Sequence, residues 1–133
     1  MQSDESTVTL VSSQRSSVMS NLRNMANAVK ACFELAGAEV IQNDGYPAWK
    51  MNADSELQRI AIQEYKKLFG HDPKVLGIHA GLECGLFSEK YPGIDMISFG
   101  PTLRFVHTPD ERLLIPTVQM VWDHMLAILR EID

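Results

Sequence analysis

Val75-Leu76-Gly77-Ile78-His79-Ala80-Gly81-Leu82-Glu83-Cys84-Gly85 and Ile94-Asp95-Met96-Ile97-Ser98-Phe99-Gly100-Pro101-Thr102 are the stretches that decide the fold class. Each begins with an apolar run too short for a helix and ends in small or turn-forming residues. Residues 82–90 between them are long enough for a short helix. Strand, helix, strand in that rhythm predicts an α/β fold with a parallel or mixed sheet. In such sheets ligands gather beyond the carboxyl ends of the strands. Residues 79–85 and the loop 102–112 are therefore the expected functional edge.

Working outward, Pro116 suits the first turn of a closing helix. Val118, Val121, Trp122, Met125 and Leu129 give that helix an apolar stripe. Upstream, Ser55 and Gln58 have capping-box spacing. Leu57, Ile60, Ala61, Tyr65, Leu68 and Phe69 form the apolar face of the helix they open, closed by Gly70. Asn43-Asp44-Gly45-Tyr46-Pro47 is turn chemistry and marks a boundary near residue 50. Before it, residues 8–12 alternate as a half-buried strand does. Val18, Leu22, Met25, Val29, Phe33 and Ala36 make one helical stripe ending at Gly37, and residues 39–42 read as a second strand. The expected order is β-α-β before residue 50 and α-β-α-β-α after it, with strands near 75–79 and 95–99 as parallel neighbours. No internal repeat or low-complexity tract is present.

The 133 residues are 45% hydrophobic and 22% charged, an ordinary globular composition. Twelve basic against 17 acidic residues leave a net charge of −5, which argues against nucleic acid or an anionic membrane as partner. No apolar run approaches the roughly 20 residues of a membrane span. The polar, acidic N-terminus is not a signal peptide. Cys32 and Cys84, with no CxxC pair, exclude a disulfide framework and a cysteine-built zinc site. A cytoplasmic address is the expectation.

Two segments concentrate chemistry. Small residues at 79–85 let backbone approach a ligand, and a helix start there offers free N–H groups. The loop 102–112 gathers Arg104, His107, Asp110 and Glu111: a cation, an imidazole and two carboxylates. Each feature also has a plain structural reading. Asp110 and Glu111 could cap or solvate the loop. His79, His71 and His124 read as packed or exposed structural residues, Cys84 as a small buried one, and Arg15 as a solvated turn residue.

In combination the motifs say more. Ile78-His79-Ala80-Gly81-Leu82-Glu83-Cys84-Gly85-Leu86-Phe87, Asp95-Met96-Ile97-Ser98-Phe99-Gly100-Pro101-Thr102 and His107-Thr108-Pro109-Asp110-Glu111-Arg112 closely resemble the C-terminal part of aminoacyl-histidine (Xaa-His) dipeptidases of the M20 metallopeptidase family. Ser12-Ser13-Gln14-Arg15-Ser16-Ser17, Glu34-Leu35-Ala36-Gly37-Ala38 and Asp44-Gly45-Tyr46-Pro47 resemble the same enzymes in the same order. The resemblance implies a zinc-exopeptidase catalytic α/β domain interrupted by a lid domain that often mediates dimerisation. Residues 1–50 then correspond to the C-terminal, β-α-β part of the lid, and residues 51–133 to the C-terminal part of the catalytic domain.

The same resemblance implies site roles. His107 occupies the position of a histidine that ligates one zinc of a pair. Glu83 and Gly85, with Gly81 and Cys84, belong to the substrate-site loop. Arg15 is placed to contact the dipeptide's terminal carboxylate, which a guanidinium fork suits. Phe105-Val106 departs from the small residues expected before His107. The family's remaining metal ligands and its general-base glutamate have no counterpart in the chain. A catalytic zinc needs about three protein ligands. The chain is thus expected to be a piece of a two-zinc dipeptidase, inactive alone, with a dipeptide as substrate and a homo-oligomer as its assembly. The alternatives are another M20 amidohydrolase (an aminoacylase or tripeptidase) and a catalytically silent, self-associating α/β module.

Overall fold

The computed structural model describes residues 2–3, 6–43, 45–77 and 83–132, without the side chains of 2–3. The elements are β1 (Gln2–Ser3), β2 (Val8–Thr9), α1 (Met19–Leu35), α2 (Glu56–Phe69), α3 (Glu83–Lys90), β3 (Leu103–Arg104), β4 (Arg112–Leu113) and α4 (Pro116–Glu131). The chain mixes helices with short two-stranded sheets, as an α/β fold does. Contacts divide the chain into two compact units: Met1–Met51 with Gly77–Pro92, and Asn52–Leu76 with Gly93–Asp133.

In the first unit, β1 and β2 pair antiparallel. Helix α1 covers the predicted segment, but of its apolar stripe only Val18, Leu22 and Val29 are half-buried, while Met25, Phe33 and Ala36 are exposed. Val18 lends its start no side-chain cap, but the Ser16 hydroxyl accepts from the Val18 N–H at 3.1 Å. Its other end is a Schellman turn. The Gly37 N–H donates to the Glu34 carbonyl, the Ala38 N–H donates to the Phe33 carbonyl, and Gly37 takes φ +83° between them. The Ala48 N–H reaches the Met19 sulfur at 3.1 Å and ties residues after the turn to the start of α1.

In the second unit, α2 and α4 pack on each other. Ser55 caps α2, its hydroxyl accepting from the Gln58 N–H at 2.9 Å, and Gly70 closes it in the left-handed conformation. The core sits between the two helices. Ala61 and Ile128 are the buried apolar residues among those described, beside buried Glu64 and His124. His124 Nε2 lies 2.8 Å from the Ala61 carbonyl, with the Tyr65 and Phe99 rings against the imidazole. The plain structural reading of His124 is therefore the observed one. The other half of the α4 stripe stays exposed, Trp122 at 52% and Leu129 at 58%.

Helix positions match expectation closely, but strands do not. The strand expected at 8–12 is confined to Val8–Thr9. Residues 39–42, 75–77 and 94–99 carry no ladder, and the sheets among the described residues are antiparallel pairs. A helix closes its hydrogen bonds within its own segment, whereas a strand exists only where a partner strand is within reach. An apolar run reports the first requirement and not the second. Residues 78–79 of the expected strand lie outside the described residues.

Candidate functional site

His107 sits in the turn of the β3–β4 hairpin, in which Leu103 faces Leu113 and Arg104 faces Arg112. The hairpin's base is fastened to the start of α4. The Thr102 N–H donates to the Thr117 hydroxyl and the Leu114 N–H to the Thr102 carbonyl, both at 2.9 Å. The turn itself is unusual, because two residues that are not glycine take positive φ: Phe105 at 54° and His107 at 65°. Three groups hold it. The Thr108 hydroxyl donates to the Phe105 carbonyl at 2.7 Å, the Glu111 N–H donates to the Thr108 carbonyl at 3.1 Å, and the Glu111 carboxylate accepts from the His107 N–H at 2.9 Å. The His107 side chain is exposed, and neither ring nitrogen makes a hydrogen bond among the described residues.

Glu83 is the first residue of α3, exposed, with its carboxylate in the first turn, where the helix dipole favours negative charge. Gly85, two residues further on, is buried. A Cβ at this position would lie 2.4 Å from the Pro47 carbonyl oxygen, so α3 meets the Tyr46-Pro47 segment backbone to backbone. Cys84 is a free, half-buried thiol. His79 and Gly81 lie outside the described residues.

Arg15 lines a cavity of about 330 Å³ together with residues 12–14, Ser16, Leu22, Ala26, Asn43, Gly45 and Tyr46. The polar turn before α1 and the turn after residue 42 thus form its two walls. Gln14 Nε2 donates to the Ser12 hydroxyl at 2.7 Å and orders the serine turn. Arg15 is exposed and forms no ion pair among the described residues. A guanidinium flanked by hydroxyls and an amide is chemically suited to a carboxylate.

Arg15, Glu83 and Gly85 belong to the first compact unit and His107 to the second. Asn43 and Tyr46 beside Arg15, and Pro47 against Gly85, had no signal in sequence spacing beyond the turn chemistry of residues 43–47. Asp95 was also missed. Its Oδ2 accepts from the Leu57 N–H at 2.9 Å, capping α2 from a distant segment. That backbone bond holds the Asp95 carboxyl below its ordinary value, helped by Ser55, Asn52 and the Met96 amide and opposed by burial. Asp95 Oδ1 is shielded from solvent without a hydrogen-bond partner.

Toward the zinc that the resemblance implies, His107 offers an exposed imidazole on a fastened turn. The described residues hold no group of three His, Cys, Asp or Glu that could complete a metal site.

No family model matches the chain. It is 41% identical over 99 residues, 74% of its length, to the cytosol non-specific dipeptidase of Escherichia coli (strain K12). Its structure matches the crystal structure of aminoacylhistidine dipeptidase from Vibrio alginolyticus with a TM-score of 0.71 and 47% identity over 89% of the chain. The chain is homologous to part of a dipeptidase. It spans 20% of the Escherichia coli protein and 24% of the Vibrio chain. The kinship drawn from the ordered motifs and the kinship found by overall sequence and shape agree. No described helix is long and apolar enough to cross a membrane.

Proposed function

We propose that the whole protein is a two-zinc dipeptidase that hydrolyses Xaa-His-type dipeptides in the cytoplasm. The observation that carries this reading is the likeness to aminoacylhistidine dipeptidase at 47% identity over 89% of the chain. In this reading residues 1–50 are the C-terminal part of a lid domain and residues 51–133 the C-terminal part of the catalytic domain. The zinc pair, when bound, activates water and polarises the scissile carbonyl. His107 presents an imidazole to one zinc. Arg15 receives the dipeptide's terminal carboxylate in its cavity, and Glu83, fixed at the start of α3 by the Gly85–Pro47 contact, helps to place the substrate. The remaining metal ligands and the general base come from sequence that this chain does not contain, so the isolated chain is inactive.

The test is a chimaera in which this chain replaces the matching segment of the Vibrio enzyme. Xaa-His hydrolysis is expected to survive in the chimaera, to be abolished by His107→Ala and to show a raised KM in Arg15→Ala. The isolated chain with added zinc is expected to hydrolyse nothing. Zinc-dependent turnover by the isolated chain, lost on His107→Ala, would overturn the inactivity. An active chimaera indifferent to His107→Ala would overturn the ligand assignment.

A second reading, self-association, is favoured by the exposed apolar side chains along α4. Patches of that kind tend to find a partner. Light scattering that gives a dimer or larger assembly supports a homo-oligomer, and a monomer refutes it.

A further inference from the structure

We propose that Glu111 is the positioning residue for His107: its carboxylate clamps the His107 backbone amide and so sets the left-handed turn from which the imidazole projects. The proposal rests on the reading of His107 as a metal ligand for its functional meaning, but not for its structural claim.

A positive φ at a residue with a Cβ costs about 1–2 kcal/mol, and a bulky side chain such as Phe105 has no special tolerance for it. The turn carries this cost at Phe105 and again at His107. Strain of this kind persists only where surrounding bonds over-determine it. At Phe105 the bonds are evident: its carbonyl accepts from both the Thr108 hydroxyl at 2.7 Å and the Thr108 N–H at 3.2 Å. At His107 the bond that turns the peptide inward is the N–H donation to Glu111 Oε2 at 2.9 Å. A carboxylate acceptor makes it stronger than an amide–carbonyl bond. Glu111 is itself placed by its N–H bond to the Thr108 carbonyl, and β4 begins at the next residue. The four-residue spacing therefore serves a purpose. The His107 peptide and the Glu111 side chain close a ring across the turn, with Thr108-Pro109-Asp110 inside it. Without the clamp, His107 relaxes to the β region, and its Cα–Cβ bond swings to a different direction.

The experiment uses the isotope-labelled 133-residue chain and two variants, Glu111→Ala and Glu111→Gln. Gln keeps an acceptor oxygen at the same reach but is a poor zinc ligand, so rescue by Gln separates clamping from direct ligation. The first readout is the His107 amide. In the unaltered chain a strong intraresidue amide-to-Hα NOE is expected, with slowed exchange. In Glu111→Ala the NOE weakens and exchange quickens by about tenfold or more, as loss of one hydrogen bond to a charged group requires. In Glu111→Gln most of both is retained. Unchanged amide signals from α2 and α4 certify that the variants fold. The second readout is the zinc content of the chimaera with the Vibrio enzyme, which supplies the remaining ligands, expected to fall in Glu111→Ala and to return in Glu111→Gln. An Ala variant that keeps the His107 NOE and exchange rate overturns the proposal, and so does a Gln variant no better than Ala. Equal zinc content in the chimaera with and without Glu111→Ala also overturns it. A chimaera whose zinc content is indifferent to His107→Ala, while the amide readout behaves as expected, removes the ligand reading and leaves the clamp standing.

Discussion

Gly85→Ala adds one methyl group at the point where α3 meets the chain after the 43–47 turn. The new Cβ would stand 2.4 Å from the Pro47 carbonyl oxygen, 3.2 Å from its carbonyl carbon and 3.8 Å from its Cα. Ordinary carbon packing distances are roughly 3.5 Å or more, so the helix or the Pro47 peptide must retreat by about 1 Å. No flexible side chain is available to give way, since the atoms nearest the new Cβ are all Pro47 backbone and Pro47 has a fixed φ. Overpacking of this kind costs about 1–3 kcal/mol. One effect opposes it: within a helix, alanine is better than glycine by about 0.8–1 kcal/mol. The clash outweighs that gain over most of its range, and the expected net loss is up to about 2 kcal/mol. Helix α3 has eight residues, too few to persist alone, so the loss should appear first as detachment of α3. Urea unfolding followed by circular dichroism should show a lower midpoint at unchanged slope, and hydrogen exchange should show the 83–90 amides losing protection. A Gly85→Ala chain equal to or more stable than the parent, with 83–90 still protected, would mean that α3 does not rest on Pro47.

Ser55→Ala removes the α2 cap and should cost about 1 kcal/mol in urea unfolding; no change in midpoint would show that Asp95 alone suffices to cap the helix. The folded-state pKa of Asp95 is depressed from its ordinary 3.8, so its contribution is present in full above that value and lost as pH falls through the depressed one. Acid unfolding of the second unit should therefore steepen below about pH 4, and Asp95→Asn should lower stability at neutral pH while removing that part of the acid dependence. Equal acid titration of both chains would refute the assignment. Arg104 and Arg112 face each other across the two-residue ladder, a like-charge pair that is unfavourable. Arg104→Thr should stabilise the hairpin by roughly 0.2–1 kcal/mol, read from the exchange of its amides, and faster exchange would indicate that the arginine stems contribute packing that outweighs the repulsion.

The helices were legible in sequence because the information for a helix is local. Ser55 and Gln58 announced the start of α2, Gly70 its end, Pro116 the start of α4, and apolar residues at three- and four-residue spacing the helical segments between, though the face that α4 buries, with His124 and Ile128, lies beside the expected stripe. The dipeptidase kinship was legible because several short motifs, from Ser12-Ser13-Gln14-Arg15 to His107-Thr108-Pro109-Asp110-Glu111, occur together and in one order. Tertiary structure alone decided the rest. Whether 39–42 or 94–99 pairs as a strand depends on a neighbour elsewhere in the chain. Asp95 caps a helix that begins 39 residues earlier, at Glu56. Gly85 is glycine because Pro47 lies where its Cβ would be. His124 is a buried hydrogen-bonding residue because Ala61 offers a carbonyl and Tyr65 and Phe99 offer rings. Each of these is a contact between distant segments, whose partners are unknown until the chain has folded. A sequence states which groups are available and, where the hydrogen bonds close within one segment, what they form; only the fold determines which distant groups meet.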